Sequence, residues 1–124
     1  MIRLTARQIL GNQAERLAEQ LLLKAGMRVL ARNYRCKLGE LDLVMRDADT
    51  VVFVEVRFRR TGQWGSAVET VDRRKQKRVI AAAQHFLLTH PTLAEQPCRF
   101  DVIAADGSPA DPASYRWIRE AFTC

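Results

Sequence analysis

A chain of 124 residues, 48% of them hydrophobic, has the size of one compact domain and enough apolar surface to bury about two-thirds of what its unfolded form exposes. Its 20 basic and 14 acidic residues leave a net charge of +6 and a pI near 9.8, which favours an anionic partner, either nucleic acid or a membrane surface. No apolar run approaches the roughly 20 residues that span a bilayer, the first residues lack signal-peptide order, and Cys36, Cys98 and Cys124 have neither paired nor zinc-ligand spacing. The expectation is a soluble, cytoplasmic protein with reduced thiols, folded as a single domain over 1–124.

Thr5 followed by Gln8 fits a capping box, with Leu4 and Ile9 placed as a hydrophobic staple across it. The helix that follows keeps Ala14, Leu17, Ala18, Leu21, Leu22 and Ala25 on one stripe, and Gly26 is suited to end it in a left-handed conformation. Glu15 lies beside that stripe, where it either points along the edge of the core or stands in water near the helix start. Met27 to Arg35 form a first strand, although their alternation is poor.

Gly39 to Arg60 carry the strongest local signal. Two runs rich in β-branched and aromatic residues flank the turn residues of Arg46 to Thr50, the signature of an antiparallel hairpin. Pairing Arg46 with Val51 sets Val44 opposite Phe53, Asp42 opposite Glu55 and Glu40 opposite Arg57, all on one face. The other face holds Leu41, Leu43, Met45, Val52, Val54, Val56 and Phe58 and is wholly apolar. Asp42 and Glu55 are therefore expected close together in a partly dehydrated place, which is unfavourable unless a cation or a proton intervenes.

Thr61 to Ser66 read as a loop containing Trp64, which either stacks on a nucleotide base or folds back on the sheet. Asp72 caps a second helix that stops before Pro91, with Val79, Ala83, Phe86 and Leu87 buried and Lys75 on the same row, projecting toward the core. Arg73, Arg74, Lys77 and Arg78 spread around its first turns, as a solvated face or as phosphate contacts. Cations oppose the helix dipole there, and a bound anion would offset the repulsion. His85 and His90 lack ligand-spaced partners. Cys98 to Ala105 form a strand with Phe100, Val102 and Ala104 on one face and Arg99 and Asp101 on the other. Asp106 to Ser114 are an exposed loop, and Tyr115 and Trp117 belong to a short last strand that ends in a turn over Arg119 to Phe122. The whole is an α/β arrangement, a mixed sheet with helices on its faces, in which the second helix carries the chain to a strand parallel with the third.

An Asp and a Glu from adjacent strands with an acid from a helix offer the hard oxygen ligands that Mg²⁺ prefers, and Arg57 stands ready to stabilise charge on a phosphate. The same residues also compose an ordinary ion-pair network, in which Glu40 pairs with Arg57 and Arg59 or Arg60 neutralises the rest.

Glu15, Gly39-Glu40-Leu41-Asp42, Val52-Phe53-Val54-Glu55-Val56-Arg57, Lys75 and Arg99-Phe100-Asp101-Val102, in that order, resemble the bacterial YraN family of the PD-(D/E)XK nuclease superfamily. The resemblance implies a restriction-endonuclease-like core, similar to archaeal Holliday-junction resolvases, with a mixed central sheet of about five strands and two main helices. It implies Asp42 and Glu55 as catalytic acids and ligands of Mg²⁺ or Mn²⁺, Glu15 as the acid of the first helix, and Arg57 in place of the motif lysine. It further implies a nucleic-acid partner, DNA above RNA, gripped by Arg57, Arg59, Arg60, Lys75, Arg73, Arg74 and Arg78, with no membrane and with a homodimer as the form that suits a two-fold junction. Arg57 departs from the pattern: a guanidinium stays protonated and cannot serve as a base. Structured-DNA cleavage and DNA binding without turnover are the two functions that follow.

Overall fold

The computed structural model describes residues 3–59 and 71–123; Arg60 and Trp64 fall outside them. Helix α1 (Ala6–Lys24) is followed by β1 (Arg28–Cys36), β2 (Gly39–Asp47), β3 (Thr50–Arg59), helix α2 (Arg73–Thr89), β4 (Cys98–Asp106) and β5 (Tyr115–Phe122). The strands form one mixed sheet in sequence order, antiparallel except for the parallel pair β3 and β4. This is the expected α/β architecture of a five-stranded mixed sheet and two helices. Among the described residues no helix is long and apolar enough to cross a membrane.

The capping box closes as expected. Thr5 Oγ1 accepts from the Gln8 N–H at 3.1 Å, and Gln8 Oε1 accepts from the Thr5 N–H at 2.9 Å. The staple adds little, because Leu4 and Ile9 both stay half exposed. Gly26 ends α1 at φ +93°, a conformation that costs only glycine nothing. At α2, Asp72 caps through its side chain to the Lys75 N–H at 2.9 Å.

Each helix covers one face of the sheet. Ala18 and Leu22 of α1 pack on Leu43, Met45, Val52, Val54 and Ile103, whereas Val79, Ala82, Ala83 and Phe86 of α2 pack on Leu41, Val44, Val51, Phe53 and Phe100. Two approaches fix α2 over the hairpin. Phe53 and Phe86 meet edge to face at 6.1 Å, and Gly39 lies so close beneath the helix that a Cβ there would stand 2.6 Å from the Arg78 carbonyl oxygen. Any side chain at residue 39 would lift the basic helix off the sheet.

The hairpin has the expected register, with Arg46 opposite Val51 and Val44 opposite Phe53. Its turn is tighter than expected, because Asp47 still pairs with Thr50 and only Ala48 and Asp49 lie between, Ala48 at φ +54°. One face assignment differs. Leu41 lies under α2 and Leu43 under α1, although strict alternation puts both on one side. The cause is in the neighbouring strand. Asn33 adopts φ +49°, which asparagine tolerates better than most residues, and this flips the side-chain alternation between Arg32, on the α1 face, and Tyr34, on the α2 face. Strand β2 follows β1 through the reversal, so Asp42 sits at the kink. A second irregularity, with Glu120 at φ +49°, lies in β5, and the strand continues past it to Phe122 where a terminal turn was expected.

Candidate functional site

At the kink the regular pairing of β2 with β3 stops at Leu43 and Val54. Asp42 replaces the next backbone bond: its Oδ2 accepts from the Val56 N–H at 2.8 Å. The carboxylate is thereby held in the plane of the sheet rather than on either face. Glu55, on the adjacent strand, follows Phe53 onto the α2 face and is 1% exposed. Lys75 Nζ, from the first turn of α2, lies 3.3 Å from Glu55 Oε1, and Arg57 Nη1 lies 4.0 Å from the same oxygen. Lys75 lies within reach of Oε1 and lowers the carboxyl, yet among the described residues neither buried oxygen of Glu55 has a hydrogen bond of good geometry.

Electrostatics ties a third acid to this pair. Burial, then the charges of Asp42 and Glu40, push the Glu15 carboxyl up to about 7, with Arg35 opposing them. Burial and then Asp42 push Glu55 up to about 8 against the pull of Lys75 and Arg57. Asp42 is also raised, chiefly by burial, while the Val56 N–H and Lys75 hold it down. Asp42 thus raises both Glu55 and, with Glu40, Glu15, and the cations at hand do not offset the cost. Glu40 is bridged by Arg35 across β1 and β2 at 3.4 Å, an interaction invisible in the hairpin alone because its partner comes from the strand before it.

Of the residues singled out from the sequence, Asp42, Glu55, Arg57 and Lys75 come together, and Glu15 lies within electrostatic reach of Asp42. Arg73, Arg74, Lys77 and Arg78 are exposed along the start of α2, and Arg59 is half-buried at the end of β3. Among the described residues no three acidic, histidine or cysteine side chains are grouped closely enough to cage a metal by themselves. The histidines serve packing: His85 Nδ1 meets the Tyr34 hydroxyl, and His90 stacks on Phe86 at 4.0 Å while bonding its carbonyl.

The model of the uncharacterised protein family UPF0102 matches residues 14–105, which include the whole cluster. The chain belongs to this family. Similar UPF0102 proteins are found in Pseudomonas syringae pv. syringae, 52% identical over 95% of this chain and 96% of its own, and in Stutzerimonas stutzeri, 55% identical over 90% of this chain and 92% of its own. A third, from Pseudomonas syringae pv. tomato, is 52% identical over 98% of both chains. Among the described residues this UPF0102 fold holds one further buried acid, Asp101, whose setting is the opposite of Glu55's. Its oxygens accept from Arg99 Nε at 3.1 Å, from the Trp117 indole at 2.9 Å and from the Glu120 N–H at 3.0 Å, and Arg99 also reaches Asp47 at 3.2 Å. The sequence placed Arg99 and Asp101 on one face but not this knot, since two of its donors belong to the strand that follows.

Proposed function

We propose that the cluster at Asp42 and Glu55 is a divalent-cation and phosphate site, and that the protein is a nuclease-like, nucleic-acid-binding enzyme acting on structured DNA. The observation that supports it most is Glu55: a carboxylate 1% exposed, without hydrogen-bond partners among the described residues, next to a second buried acid. Such a pair fits Mg²⁺ or Mn²⁺, which take oxygen ligands, and Mg²⁺ is commonly held by one or two carboxylates plus waters and substrate phosphates. Bound there, the ion would supply Lewis-acid polarisation of a phosphodiester and acidify water.

The chain's own groups divide the remaining work. The Val56 N–H fixes one Asp42 oxygen and leaves the other for a ligand. Arg57 neutralises phosphate charge without exchanging protons, because its guanidinium stays protonated. Lys75 joins the acids to the exposed arginines of α2, so that a phosphate backbone drawn along Arg73, Arg74 and Arg78 ends at Glu55. Glu15, with its carboxyl raised to about 7, is able to hold a proton at neutral pH. DNA rather than RNA follows from the family resemblance.

A second reading, a DNA-binding module without turnover, is favoured by Arg57 in place of a lysine and by the lack of a three-ligand metal group among the described residues. The deciding experiment incubates linear, flapped and four-way DNA with the wild type and Glu55→Ala in Mn²⁺. Cleavage by the wild type alone is expected; binding without cleavage favours the second reading, and equal cleavage by both overturns the assignment of Glu55.

A further inference from the structure

Beside the acid cluster, between the start of α1 and the kink in β1, lies a groove of about 670 Å³, within the range of small-molecule sites. Glu15 stands on its wall and lies within electrostatic reach of Asp42. Its other features belong to none of the roles given above. Asn12 and Asn33 both line it, and among the described residues neither side-chain amide has a hydrogen-bond partner. Asn33 is also the residue held at φ +49°, a conformation that costs energy for any residue but glycine and that recurs at functional sites. Arg16 lines the groove without an ion-pair partner among the described residues, in contrast to Arg32, which Glu19 neutralises. Leu4 and Leu43 supply an apolar wall.

Two uncommitted amides, a free guanidinium and an apolar wall are complementary to one class of ligand. Amides read the donor and acceptor edge of a base, an apolar side chain covers its face, and a cation holds the phosphate next to the one at the acids. We propose that this groove is a nucleotide subsite, which takes an unpaired base of the strand whose phosphate lies at Asp42 and Glu55. The inference rests on the proposed phosphate site and deepens it. A base can enter only after leaving its stack, so the substrate class becomes nucleic acid with unpaired nucleotides, at flaps, junctions or single-stranded ends, rather than continuous duplex.

The test needs no metal and no cleavage. Amide chemical shifts of the protein in EDTA are followed by nuclear magnetic resonance while deoxyadenosine monophosphate is added, and separately deoxyribose 5-phosphate, which lacks the base. The nucleotide is expected to perturb Asn12, Arg16, Asn33 and Leu43, and to bind more tightly than the sugar phosphate. Asn12→Ala combined with Asn33→Gly removes both amides, the glycine keeping the positive φ, and should weaken the nucleotide at least about fivefold while leaving the sugar phosphate unchanged. Equal binding of the two probes overturns the inference, as does a double variant that binds like the wild type or a set of shifts confined to α2. Loss of the subsite would not touch the cation site, which Mg²⁺ titration examines separately. Failure of that titration would leave these shifts in place.

Discussion

Two buried acids on the same sheet, Asp101 and Glu55, differ in how far the groups around them match their charge. Both are almost wholly removed from water. Asp101 meets a guanidinium, an indole and a backbone N–H, so its charge is matched by directed donors. Among the described residues Glu55 meets only Lys75 and Arg57, with Asp42 as a like charge that raises it. Burial alone therefore does not single out a candidate site; the proposal for Glu55 rests on burial without matched donors. Each Asp near a sheet irregularity also accepts a backbone N–H, Asp101 from Glu120 and Asp42 from Val56, but among the described residues only Asp101 accepts from side chains as well.

The comparison breaks most visibly if the matched acid is removed. Asp101→Ala orphans the Trp117 and Glu120 donors and leaves Arg99 with Asp47 alone, and should cost about 3–5 kcal/mol in urea unfolding, with or without Mg²⁺. A cost under about 1 kcal/mol would show that the knot is not structural. The unmatched acid should respond with the opposite sign. Burial and then Asp42 push its folded carboxyl up to about 8 from an ordinary 4.5. A raised value means that Glu55 is stability-neutral below 4.5 and increasingly costly as pH rises through about 8, where it must ionise in place. Glu55→Gln should therefore be more stable than the metal-free wild type by about 2–4 kcal/mol at pH 9 and about equal to it at pH 4, read from melting temperatures across that window.

Smaller effects sharpen the picture of the support. Gly39→Ala drives a methyl group against the Arg78 carbonyl and should destabilise by about 1–3 kcal/mol, with a displaced α2 reported by weakened DNA binding beyond the stability loss. Removing one of Arg73, Arg74 or Arg78 should leave stability within about 0.5 kcal/mol. If that residue contacts phosphate, the slope of log affinity against log salt should fall by about 0.9 for duplex DNA. An unchanged slope would place it off the nucleic-acid path.

The hairpin register was legible because β-branched alternation and a short polar turn leave one pairing that buries apolar residues on both sides. The helix caps were legible because Thr5, Gln8, Asp72 and Gly26 are local signals. What escaped depends on chain segments that alternation does not connect. The face of Leu41 is set by the backbone of Asn33 in another strand, whose only advance sign is an asparagine inside a strand, and the partner of Glu40 is Arg35 across β1 rather than a residue of the hairpin. The saturation of Asp101 needs Trp117 and a bulge in β5, an element expected to have ended by then. The electrostatic reach of Asp42 and Glu40 to Glu15 was readable only as an acid beside the stripe, because it joins a helix to a strand distant in sequence.

The central claim is that the unmatched acids await a cation. Isothermal calorimetry of Mg²⁺ into wild type, Asp42→Ala and Asp101→Asn, at a temperature where all three are folded, tests it most directly. The expected result is saturable binding to the wild type and to Asp101→Asn, and its loss in Asp42→Ala. An Asp42→Ala curve indistinguishable from the wild type would contradict the account.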